Sequence, residues 1–245
     1  MQKLIVKPST PQLTSQPTFS LNMPQADELF PGFLPGDFAV IHGSPAINTL
    51  TSLLCVRAQL PMQLGGLASN VVFIDGGITF RLYRIAKLAQ LHGLNAEEVL
   101  QRIFISRAFT AYQLTSLVME KLEETVKTCH AKVAIISDVA GFFLDTNIAA
   151  EEAQKIYSQL ICYLADFARK HQIVVVATYL PYENSKRNMT LQQITTQNAG
   201  IVLCFTKTPN GKQLSLEKHP TYTLGTTKLP TRTITLTDFL GDKSG

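Results

Sequence analysis

Two long gaps in the basic residues set the first limits on this chain. No lysine occurs between Lys7 and Lys87, and no arginine between Arg107 and Arg169. The first gap denies a lysine to any turn in that stretch that would hold phosphates, and the second leaves its stretch without a guanidinium for a polyanion. Cysteine is scarce: Cys55, Cys129, Cys162 and Cys204 are widely scattered, with no CxxC and no histidine at ligand spacing. They read as buried core thiols rather than disulfides or metal ligands. Apolar runs long enough to span a membrane are lacking, as is a basic-then-apolar leader, so the expectation is a cytoplasmic protein with no membrane contact. Charged residues make up 16% against 45% hydrophobic, a balance that excludes disorder and fits one α/β domain with a full core.

What is present alternates. Phe38–His42, Val71–Ile74, Phe104–Ser106, Val133–Ser137 and Ile173–Thr178 are short β-branched and apolar runs that predict buried strands. Helical spacing fills Ser44–Leu60, Phe80–His92, Ala111–Thr128 and Glu151–Lys170 between them. Strands alternating with helices predict right-handed βαβ units and a mostly parallel sheet covered on both faces. After Gln197 the pattern turns to hairpins, with Ile201–Thr206 and Gln213–Glu217 flanking the turn Pro209-Asn210-Gly211. Residues 1–30, rich in Pro, Gln, Ser and Thr, read as an extended arm; 31–235 form the core domain and 236–245 a tail. From Arg169 onward ten Lys/Arg face four Asp/Glu, whereas residues 1–168 carry twelve against fourteen, a polarity that suits a polyanionic partner or a plain solvated surface.

Particular motifs add a resemblance. Val71–Leu117 has an apolar run ending in Asp75, a small-residue turn, Thr79-Phe80-Arg81 with an amphipathic helix, and a second strand leading to Arg107-Ala108-Phe109. Phe33-Leu34-Pro35-Gly36-Asp37 precedes the first strand, and Gln59-Leu60-Pro61 with Gly65-Gly66 closes the following helix. These segments closely resemble the ATPase core of the RecA/RadA recombinase family in its archaeal and eukaryotic form, and the likeness runs from about Phe19 to Pro220. It implies a RecA-like P-loop fold with a C-terminal β-hairpin. It also implies a core-only layout similar to RadB-type proteins, without a preceding helix-hairpin-helix domain.

The same resemblance shows what has changed. Where the family has its phosphate-binding loop, this chain reads Gly43-Ser44-Pro45-Ala46-Ile47-Asn48-Thr49-Leu50, shorter and without lysine, with Pro45 removing a donor N–H. Gly43, Ser44, Asn48 and Thr49 are its vestige. Gly77 stands two places after Asp75, where the family carries the acid that orients the attacking water, and glycine cannot do that work. Asp138, at the end of Val133–Ser137, matches the family's Mg²⁺-associated carboxylate, although an Asp after a strand is also a common helix cap. Leu180 replaces the family's phosphate-sensing glutamine. No catalytic residue, bound ATP or metal is therefore expected. Of the two DNA-facing loops the family has, the first, Leu144–Glu152, is short and acidic here; the second, Tyr182–Thr190, keeps Lys186 and Arg187 as candidate phosphate contacts.

Three functions compete on these residues. The first is a non-catalytic paralogue acting as an accessory factor in homologous recombination and DNA repair. Its partners would be an active recombinase or another paralogue, with single-stranded DNA as a further ligand, and it would be cytoplasmic, nucleoid-associated or, in a eukaryote, nuclear. The second is an ATPase completed by a neighbouring subunit, which would still lack the glycine turn. The third is a scaffold that keeps the fold with no role on DNA.

Overall fold

The computed structural model describes residues 18–209 and 211–229. The apolar runs form its centre. Phe38–Gly43 (β1), Asn70–Asp75 (β2), Ile103–Arg107 (β3), Ala131–Ser137 (β4), Val174–Tyr179 (β5) and Ile201–Thr208 (β6) pair in parallel. Gly211–Lys218 (β7) and Gly225–Leu229 (β8) extend the sheet antiparallel, giving the order β3-β2-β4-β5-β1-β6-β7-β8. Every residue of β5 is buried, as a central parallel strand covered on both faces requires.

Two apolar clusters lie on opposite faces, and the period-2 alternation of the strands divides them. Ala39 and Ile41 face the cluster formed with Pro24–Leu29 (α1), Ile47–Arg57 (α2), Leu82–Leu91 (α3) and Ala96–Gln101 (α4). Phe38 and Val40 face the cluster formed with Ala111–Ser116 (α5), Leu122–Cys129 (α6), Ala150–His171 (α7) and Lys186–Asn198 (α8). Because β4 and β5 lie between β1 and β2, the chain reverses direction across the sheet. The carboxyl ends of these strands deliver Gly43, Asp75, Asp138 and Leu180 to one edge, where open α/β sheets build their sites. The RecA-like class expected from the sequence is the class observed.

Several local readings change. The arm expected over residues 1–30 lies outside the described residues up to Pro17, but from Thr18 it is part of the domain. Phe19, Leu21, Phe30 and Phe33 are each 0% exposed, and burying each contributes roughly 1.5–3 kcal/mol. Arg57, fully inside, holds this segment by donating to the Ser20 carbonyl (2.8 Å), the Ser20 hydroxyl (3.1 Å) and the Leu64 carbonyl (2.9 Å). The tail expected at 236–245 and Asn210 of the hairpin turn lie outside the described residues. The helix expected from Ser44 begins at Ile47, because Ser44, Pro45 and Ala46 form a turn. The helix expected over Ala111–Thr128 contains a π-helical segment, Leu117–Lys121, between α5 and α6. Of the four thiols, Cys55, Cys129 and Cys204 are buried as expected, but Cys162 is exposed.

Candidate nucleotide-site remnant and its surroundings

Asp75 ends β2 completely buried, and its carboxylate is surrounded by donors. It accepts from the Thr79 N–H (2.8 Å), the Ser137 hydroxyl (2.9 Å), the Phe80 N–H (3.3 Å) and the Arg107 guanidinium (3.1 Å). Burial would raise its pKa, but these donors together favour the charge, and the net shift is downward. A carboxylate so fully engaged anchors the start of α3 and the end of β3; it has no lone pair directed at a substrate.

Asp138 follows β4 in the left-handed region, φ 51°, a conformation Asp tolerates better than most residues. Its backbone N–H donates to the Thr178 hydroxyl (2.8 Å), and its Oδ2 accepts a short hydrogen bond from the Tyr182 hydroxyl. Its Oδ1 is buried without a hydrogen-bond partner. Burial is the main force that raises this carboxyl to about 6. The Tyr182 hydroxyl and the Gly141 and Leu180 N–H groups oppose the shift, and the nearby Asp75 charge adds to it.

Gly77, where the resemblance leads one to expect an acid, is not beside open space. A Cβ at Gly77 would lie 2.7 Å from the Asp138 Cβ and 2.9 Å from its Oδ2. On the other side, a Cβ at Gly141 would lie 2.5 Å from the same Oδ2 and 2.6 Å from the Tyr182 hydroxyl. The Asp138 side chain is thus threaded between two glycines.

The turn after β1 is closed on itself. Gly43 sits at φ 107°, and a Cβ there would lie 2.3 Å from the Phe205 carbonyl oxygen. The Ser44 N–H donates to that carbonyl (2.6 Å), and the Ala46 N–H to the Ser44 hydroxyl (3.3 Å). The Ile47, Asn48 and Thr49 N–H groups donate to the Ser44, Pro45 and Ala46 carbonyls at 3.1, 3.2 and 2.9 Å. Pro45 has no N–H to offer.

A strand–turn–helix at this edge, with acids closing β2 and β4 and a β6–β7 hairpin beside β1, is the layout expected from the resemblance, and the family model described as Rad51 matches residues 43–207. The chain belongs to the Rad51 family. Membership supports a role in recombination and repair, in a family whose members typically oligomerise and bind DNA. The described part of this Rad51-family chain contains no helix long and apolar enough to cross a membrane.

The nucleotide phosphates that the family implies do not fit the turn after β1. A phosphate cradle needs several N–H groups pointing outward, and here they are engaged within the turn. Asn48 and Thr49 lie in that closed first turn, and the Asn48 Oδ1 is buried without a hydrogen-bond partner. The cation that does reach the turn was missed in the sequence because it comes from α3: Arg84 donates to the Asn48 carbonyl (3.2 Å). Leu180 packs against the apolar cluster under α2. Together with Gly43, it borders a cleft of about 190 Å³ that is also lined by His42, Tyr182 and Asn188.

Both expected DNA-facing loops are smaller than the sequence implied. Glu151 and Glu152 belong to the first turn of α7, where negative charge complements the helix dipole, so the first loop is effectively Asp145–Ala149. In the second, Ser185 caps α8 by accepting from the Asn188 N–H (3.1 Å), which places Lys186 and Arg187 at the helix start. Arg187 turns inward and donates to the Phe143 carbonyl (2.6 Å) and the Ile148 carbonyl (2.9 Å), stitching one loop to the other. Lys186 remains exposed.

Proposed function

We propose that this Rad51-family chain is a non-catalytic accessory member that serves recombination and repair by binding an active recombinase, with DNA as a second ligand. The observation that carries the reading is the turn after β1, whose N–H groups are engaged by its own carbonyls and by Phe205. Restoring a phosphate cradle would require breaking several of those hydrogen bonds, each worth about 0.5–1.5 kcal/mol, with no lysine charge in the turn to offset the loss. Binding of a protein partner is supported by the other end of the sheet. β3 is an edge strand among the described residues and exposes Phe104 and Ile105, with Phe109 exposed just beyond it. An apolar edge of this kind suits addition of a strand from a partner. Calorimetric titration with Mg-ATP, paired with a phosphate-release assay, tests the first half. The expected result is no saturable heat and no turnover. Micromolar affinity, or turnover that disappears in Asp138→Ala, would overturn it. The second half is tested by co-purification with the active recombinase of the same host, and an Ile105→Lys variant should lose that partner while keeping its fold.

A further inference from the structure

The topology brings three ligand-type side chains together that lie far apart in sequence. His42 and Cys204 are direct register partners across the β1–β6 pair, so their side chains lie on the same face. Glu217 comes from β7, where the β6–β7 register shifts between Val202 and Leu203, an irregularity that re-aims the residue at that point. The His42 Nε2 lies 2.7 Å from a Glu217 carboxylate oxygen, and His42 Nε2, Cys204 Sγ and the carboxylate oxygen all lie within 4.8 Å of one another. Cys204 is 9% exposed, while the Glu217 side chain is 44% exposed and leaves the cluster open to solvent on one side.

We infer that His42, Cys204 and Glu217 form a Zn²⁺ site with one imidazole, one thiolate and one carboxylate ligand and a fourth position open to water. The ligand chemistry favours zinc, which accepts mixed N, S and O donors and takes four of them in a tetrahedron at about 2.0–2.3 Å. Seating the ion needs only side-chain movement: donor atoms around such an ion lie about 3.3–3.8 Å apart, and here all three lie within 4.8 Å of one another with the His42–Glu217 pair at 2.7 Å. Hard Mg²⁺ or Ca²⁺ would be a poor match for imidazole and thiolate. The site shares His42 with the cleft, but none of its ligands belongs to the nucleotide-site remnant. The sequence gives no hint of it, since each ligand sits on a different strand.

The test uses the full chain stripped of metal with a chelator and titrated with Co²⁺, whose thiolate charge-transfer band reports sulfur ligation, followed by competition with Zn²⁺. The expected result is a band that saturates at about one equivalent and is abolished by Zn²⁺. Cys204→Ser should lose the band, and His42→Gln and Glu217→Gln should each weaken Zn²⁺ binding roughly tenfold or more. Cys162→Ser should leave both unchanged, because that exposed thiol lies outside the cluster. One equivalent of Zn²⁺ should raise the melting temperature of wild type but not of His42→Gln, which covers the case in which Cys204→Ser fails to fold. Absence of the band in wild type, or its loss in Cys162→Ser with retention in Cys204→Ser, would overturn the site. The cluster would then be a hydrogen-bonded pair beside a thiol.

Discussion

Gly77 and Asp138 pack as one unit, and their contact decides what an acid introduced at Gly77 would do. Gly77→Glu places a Cβ 2.7 Å from the Asp138 Cβ, so Asp138 or the strand ends must move. Overpacking of this kind is expected to destabilise the fold by about 1–3 kcal/mol in urea denaturation, without producing ATP turnover. Asp138 also confers a pH signature. Its folded pKa is about 6 against an ordinary value of 3.8, so the folded chain binds the proton more tightly. The associated stability is complete below about pH 4 and falls as pH rises through 6, a swing of about 2–3 kcal/mol at ~1.4 kcal/mol per unit. Asp27, raised to about 6 chiefly by burial and opposed by Arg57, changes stability in the same direction. Asp75, shifted downward, runs the other way and loses its contribution only as pH falls below its ordinary range. Asp138→Asn should therefore be more stable than wild type at pH 8, with the advantage shrinking by pH 5. Equal stabilities at pH 8 in denaturant titrations would show that the buried charge is relieved by some other route.

At the level of elements, α8 changes the expectation for DNA. Arg187→Ala removes two charge-assisted hydrogen bonds to the 143–148 segment and should cost about 2–4 kcal/mol of stability, read by urea denaturation. Lys186→Ala touches nothing buried and should leave stability within about 0.5 kcal/mol. If Lys186 meets a phosphate, its removal should flatten the salt dependence of single-strand binding by about 0.7 in log–log slope. An unchanged slope would remove it from the interface. The parallel strands and long amphipathic helices were legible in the sequence because burial on two faces writes itself as continuous apolar runs. Asp138 and Gly77 were legible too, through their positions after β4 and β2. What stayed hidden depends on tertiary partners. The cap at Ser185 was overlooked although Ser185 and Asn188 stand at capping distance, and the apolar packing of Thr18–Phe33 was obscured by polar neighbours. The Arg84 contact and the His42–Cys204–Glu217 cluster join separate elements, so no local pattern announces them.

At the scale of the molecule, the sheet formed by the described residues has two unlike margins. β8 closes one side after an antiparallel hairpin, while β3 presents exposed apolar side chains at the other. Charge introduced at Ile105 should therefore abolish association with a partner while leaving the melting temperature within a few degrees, a separation read by pull-down and calorimetry together. The middle of the sheet carries a further consequence, for synthesis on the ribosome. β1 is a central strand, yet its neighbours arrive late: Phe38 pairs with Val175 and Gly43 with Phe205. At 5–20 residues per second, roughly seven to twenty-seven seconds pass after Phe38 is made before its first neighbour exists. Throughout that interval β1, apolar from Phe38 to Ile41, lacks both strands it will pair with, the condition that a holding chaperone would protect.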